Sequence, residues 1–119
     1  NMELNTRLQI LKDAGQISES NFKSMIKIIK MFQERWGIAL TEENGAMFIT
    51  HLTMAVERIT KDGSVDAVDE NIYSEVLQNK NFSKCEKVLV DIENEIGIKI
   101  PQNEEGYLMM YLCSLFDKV

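Results

Sequence analysis

A chain of 119 residues, 45% hydrophobic and 27% charged with a formal net charge of −6, suits a single globular domain burying about two thirds of its unfolded surface. The acidic balance argues against direct nucleic-acid binding, which needs clustered Lys and Arg to release phosphate counterions, and against an anionic membrane surface. No run approaches the roughly 18 apolar residues that span a bilayer, and the opening residues do not read as a charged-then-apolar leader. Met2 is expected to be the native start, with Asn1 a remnant ahead of it. One proline and six glycines among long periodic segments favour an all-α fold over turn-rich β structure. Cys85 and Cys113 lack CxxC spacing and fall on apolar helical faces, so they read as packed, reduced thiols of a cytosolic protein.

In chain order, Leu4, Leu8 and Leu11 predict a short amphipathic helix over 3–14, with Gly15 as its stop. Ser18 or Ser20 then caps a helix over about 19–36, whose main stripe is Phe22, Met25, Ile26, Ile29, Phe32 and Trp36. Ile28 and Met31 form a weaker second flank, and Gly37 ends the helix. Thr41 caps the next helix, which runs to about Lys61, and Glu42 and Glu43 suit the positive end of its dipole. Its apolar stripe is Phe48, Leu52, Ala55, Val56 and Ile59, while Glu43, Thr50, Thr53 and Glu57 lie on the far, polar side. The stretch Asp62–Asp66 reads as a loop, and 69–78 as a short helix. Ser83 and Glu86 have capping-box spacing at the start of a helix that ends at Gly97. Pro101 opens a last helix over about 102–117.

A shift of sixty residues places Phe22 on Phe82, Lys27 on Lys87, Gly37-Ile38 on Gly97-Ile98, Phe48 on Leu108, Leu52 on Leu112 and Arg58 on Lys118, without a gap. Each unit is a helix, a glycine stop, a three-residue link and a second helix, so two helical hairpins are expected to bury their apolar faces on each other. The same shift places the one histidine, His51, on Tyr111.

His51 and Arg58 stand seven residues apart, close to one meridian of a helix that turns about 100° per residue. His51 therefore sits at the edge of the buried face. A lone histidine in that position is more often structural than active, but an imidazole partly neutral near pH 7 can also attack a phosphoryl group. No HExxH, CxxC or glycine-rich phosphate loop is present, so neither a metal, a cofactor nor an enzyme is expected. A nucleophile built on Cys113 or His51 lacks catalytic partners. The acidic pairs Glu42-Glu43 and Glu104-Glu105 are explained by helix dipoles.

The segment HLTMAVER (51–58), preceded by AMFIT, resembles a PTS regulation domain (PRD), whose histidine-bearing helix reads H-x-x-x-A-x-x-R; His51, Ala55 and Arg58 fit. A later family signature is met by NEEGYLMMY (103–111), where Glu105-Gly106-Tyr107-Leu108 agree and Tyr111 replaces the family's second histidine. The likeness covers about 18–118. It implies a five-helix bundle of two antiparallel helix pairs plus a short crossing helix (18–119), preceded by an extra N-terminal helical extension (1–17). It also implies a cytoplasmic regulatory domain of bacterial sugar-phosphotransferase-linked transcription control. His51 would be phosphorylated by the phosphocarrier protein or an enzyme IIB component, with Arg58 and Asn44 stabilising the phosphate or supporting the ring. The charge would alter homodimerisation or partner binding. The alternative is a docking or dimerisation module of the same fold that is not phosphorylated, which the replacement at Tyr111 favours.

Overall fold

The computed structural model describes residues 3–119; Asn1 and Met2, with the expected start at Met2, lie outside the described residues. Among them are six helices and no strand: α1 (Leu4–Asp13), α2 (Glu19–Trp36), α3 (Glu42–Thr60), α4 (Glu70–Leu77), α5 (Phe82–Ile96) and α6 (Gln102–Asp117). The chain divides into two compact units, one ending at Glu57 and the other running from Arg58 to Val119.

In the first unit, the Ser18 hydroxyl accepts from the Asn21 N–H and starts α2, and Gly37 ends it in a left-handed conformation at φ 66°. The buried stripe of α2 is Asn21, Met25, Ile28 and Phe32, with Met31 beside it. The expected main stripe is therefore corrected: Ile28 and Met31 are core, whereas Phe22, Ile26, Ile29 and Trp36 are half-buried. The ring of Phe32 meets Phe48 of α3 edge to face, with centroids 5.7 Å apart. Helix α1 packs on α2 and buries Leu4 and Leu8. The Arg7 guanidinium holds the Glu42 carboxylate, lowering its pKa chiefly through their hydrogen bonds. This ion pair fixes α1 to the start of α3.

The polar side expected for α3 is also corrected. Thr53 and Glu57 are buried, because that side of the helix faces the beginning of α2. The Asn21 side-chain amide donates to the Thr53 carbonyl at 3.0 Å and to Glu57 Oε2 at 2.7 Å. The same carboxylate oxygen accepts from the Ser18 N–H at 3.3 Å. A buried carboxylate is tolerable only with donors aimed at it, and here α2 supplies them from its first turn and its cap.

The second unit contains the end of α3, a segment without helix or strand over 63–69, and α4, α5 and α6. Helix α6 packs on both α4 and α5 and is buried on most sides, from Glu104 to Phe116. Asp69 caps α4 by accepting from the N–H groups of Asn71 and Ile72. Helix α5 begins at Phe82, one residue before the Ser83 cap expected from spacing, and Asn81 stands at its cap without a side-chain bond to the helix. The turn is held from outside instead: the side-chain amides of Asn79 and Asn81 both donate to Asp117, at 3.0 and 2.9 Å. Gly97 closes α5 in a left-handed conformation at φ 71°, the counterpart of Gly37 under the sixty-residue shift. Burial repeats as well, with Met25 and Cys85, Ile28 and Val88, Phe32 and Ile92, Leu52 and Leu112 all in the core. Cys85 and Cys113 are buried free thiols joined by a hydrogen bond, and burial raises both pKa values. They act as core packing.

Removing the Asn21 amide leaves the buried Glu57 carboxylate with one fewer donor. Asn21→Ala is expected to lower unfolding stability by about 1–3 kcal/mol, read from urea melts; a loss below about 0.5 kcal/mol would show the network to be dispensable. On α6, burial foremost, then Glu93 and Glu86, raise the pKa of Glu105. The stability contributed by such a group is full below the unfolded carboxylate pKa and is lost as pH rises through the folded value. Glu105→Gln should therefore raise the melting midpoint at neutral pH and bring little gain near pH 4; a gain equal at both pH values would contradict this.

Candidate functional site

The start of α3 is built by a reciprocal cap. The Asn44 N–H donates to Thr41 Oγ1 at 3.1 Å, the Thr41 N–H donates to Asn44 Oδ1 at 2.8 Å, and Asn44 Nδ2 reaches the Ala39 carbonyl at 3.1 Å. Asn44 thus holds the helix entry through both its side-chain oxygen and its nitrogen. One position later, Gly45 is buried where Leu40 approaches, since a Cβ at 45 would stand 3.2 Å from a Leu40 methyl. The cap and this close approach fix where the helix starts, and so the direction in which His51 projects two turns later.

His51 is half-buried, as its edge position requires. Leu52 and Thr53 beside it are completely buried, while Met47, one turn earlier on the same side, is 63% exposed. Thr53 donates its hydroxyl to the Ile49 carbonyl at 2.6 Å within α3, and the helix around the imidazole is buried on the Leu52 and Thr53 flank and exposed at Met47. An imidazole placed this way can reach a macromolecular partner, which a central core position would prevent.

Arg58 lies further along α3, in the second unit. Its Nε and Nη2 donate to the two carboxylate oxygens of Glu104, each at 2.9 Å. Glu104 is buried and Arg58 is not: their side chains are 4% and 38% exposed. The carboxylate raises the Arg58 pKa through these bonds, as a planar fork-to-fork pair does. Tyr111, at the position matching the family's second histidine, is half-buried on α6, with Leu112 and Cys113 buried beside it. Its surroundings within the second unit parallel those of His51 in the first.

The helix-dipole explanation of the acidic pairs was incomplete, because Glu42 and Glu104 each hold an arginine. A long-range partner for Glu104 was not readable from spacing, although Glu104 falls within the NEEGYLMMY segment that resembles the family signature. Asn21 and Glu57 were missed for the same reason. No group of three His, Cys, Asp or Glu side chains is placed to hold a metal among the described residues, and none of their helices is long and apolar enough to cross a membrane.

The PRD domain family model matches residues 26–115. "Uncharacterized protein YhfY" of Escherichia coli (strain K12) is 24% identical over 113 residues, covering 95% of this chain and 94% of that protein. No solved structure gives a significant match. With the all-helical architecture, the histidine on α3 and a family match that spans both units, this chain belongs to the PRD domain family.

Proposed function

We propose that the protein is a cytoplasmic regulatory domain of a bacterial sugar-phosphotransferase-linked transcription control system, with His51 as its phosphoryl acceptor. The observation that carries this reading is the half-buried imidazole at the rim of the α3 core face, beside exposed Met47, in a chain matched by the family model. The donor is the phosphocarrier protein or an enzyme IIB component. A neutral ring nitrogen of His51 attacks the donor's phosphoryl group. The new P–N bond forms as the bond to the donor breaks, and the proton released by the imidazole goes to the departing group. About two negative charges then stand at the edge of an apolar face, which biases homodimerisation or partner binding. Residues 18–119 form the five-helix family domain, as two antiparallel pairs and a crossing helix, and residues 1–17 are an added extension.

In this reading Arg58 and Asn44 support the site instead of meeting the phosphate. Asn44 holds the entry to α3, and Arg58 is already clamped by Glu104. Tyr111 leaves a single switch. It also favours a second reading, in which the domain docks or dimerises without being phosphorylated. An unchanged oligomeric state in His51→Asp, a mimic of the charge, would favour that reading.

Incubation with phosphoenolpyruvate and the general phosphotransferase proteins should add one phosphoryl group to the wild type and none to His51→Ala, read by intact-mass spectrometry under alkaline conditions. Absence of label on the wild type, or equal labelling of the variant, would falsify the assignment. Arg58→Ala strands the buried Glu104 carboxylate and should destabilise by about 2–4 kcal/mol. The double variant Arg58→Leu/Glu104→Leu should recover most of that loss and accept phosphate within about threefold of the wild-type rate. Normal stability with a rate loss beyond about tenfold would instead make Arg58 a direct phosphate ligand.

A further inference from the structure

A second feature of the molecule is independent of His51 and lies wholly within the second unit. Between α4 and the N-terminal half of α6 runs an open, mainly apolar groove of about 280 Å³, lined by Val68, Tyr73, Leu77, Gln102 and Gly106 among others. Gly106 makes it possible. A Cβ there would stand 2.7 Å from Val68 Cγ1, so glycine lets Val68 settle against α6 at the groove wall. On α4, Val76 alone is buried, while Ile72 and Leu77 are 43% and 51% exposed. That is more exposed apolar surface than a short helix needs for its own packing.

The charge around the groove is predominantly negative. Residues 62–79 carry Asp62, Asp66, Asp69, Glu70 and Glu75 and no Lys or Arg. From α5 and α6, Glu86 and Glu105 approach the phenol of Tyr73 closely enough to raise its pKa, in addition to the effect of burial. Glu93 and Glu86 in turn crowd Glu105, against which Lys99 is the opposing cation. Like charges gathered at an apolar groove repel one another, and arriving cations relieve that repulsion.

We propose that this groove docks a basic amphipathic helix of a partner protein. An aliphatic side chain of the partner enters between Tyr73, Leu77 and Gly106, and its Lys or Arg side chains meet the surrounding carboxylates. The cavity has room for one or two aliphatic side chains, and the carboxylates are spread over three helices and a loop, wider than a single small cation spans. A helix with an apolar stripe and cationic flanks matches both features at once.

The test is a ¹⁵N NMR titration of the whole chain with a synthetic helix bearing leucine at i, i+3, i+4 and i+7 and lysine elsewhere. A scrambled peptide of the same composition and spermine serve as comparators. The expected result is saturable, salt-sensitive shifts centred on residues 67–77 and 102–106 and extending to the α5 carboxylates Glu86 and Glu93, with the scrambled peptide and spermine weaker by about fivefold or more. Leu77→Ser and Glu70→Lys, both at exposed positions, should each weaken the helix by about fivefold, and Val90→Ser on α5 should leave it unchanged. The proposal is overturned by absent saturation, by shifts that map elsewhere, by equal binding of the scrambled peptide or spermine, or by indifference to both groove variants. Labelling at His51 plays no part in this readout, so either idea can fail alone.

Discussion

The bidentate pair between Arg58 and Glu104 is the constraint from which the reading of the family motif follows. A carboxylate only 4% exposed cannot stay charged at low cost without a partner that answers both of its oxygens, and the guanidinium fork does so. The arginine of the H-x-x-x-A-x-x-R pattern is therefore committed to joining the end of α3 to the first turn of α6. In the fold, the residue that the family likeness offers as a phosphate ligand or a support holds the Glu104 carboxylate.

A second carboxylate, Glu57, is buried just before Arg58 and is answered by Asn21 and Ser18. Neighbouring positions at the end of α3 thus serve the two units separately, one binding α2 and the other α6. One oxygen of that network, Asn21 Oδ1, is buried without a protein partner, the kind of position that an ordered water completes. Such polar contacts specify register where apolar packing alone would tolerate rotation of a helix about its axis.

The helices were legible in the sequence because amphipathic period, serine and threonine caps and left-handed glycine stops are local signals. Gly37 and Gly97 mark the ends of α2 and α5, as the sixty-residue shift suggested. The exact buried stripe of α2 was less legible, since Ile26, Ile28, Ile29 and Met31 give two overlapping apolar faces and only tertiary packing selects between them. Caps that depend on distant residues were not legible either. Asp117 restrains the turn before α5 from thirty-six residues away, and no local pattern announces it. For the site, the edge position of His51 was readable from helical geometry, whereas its chemistry came from the family likeness. The commitment of Asn44 to a cap and of Arg58 to Glu104 required coordinates.

The central claim, that one imidazole is the switch, meets its most direct test in that imidazole itself. Because His51 is the only histidine in the chain, its ring nitrogens give unambiguous signals in long-range ¹H–¹⁵N spectra. Exposure to the phosphorylated donor should move one ring-nitrogen resonance to the position of a phosphorylated nitrogen, with coupling to phosphorus and loss of the signal on acidification. A ring unchanged while the donor is spent, or phosphate appearing on another residue, would contradict the account.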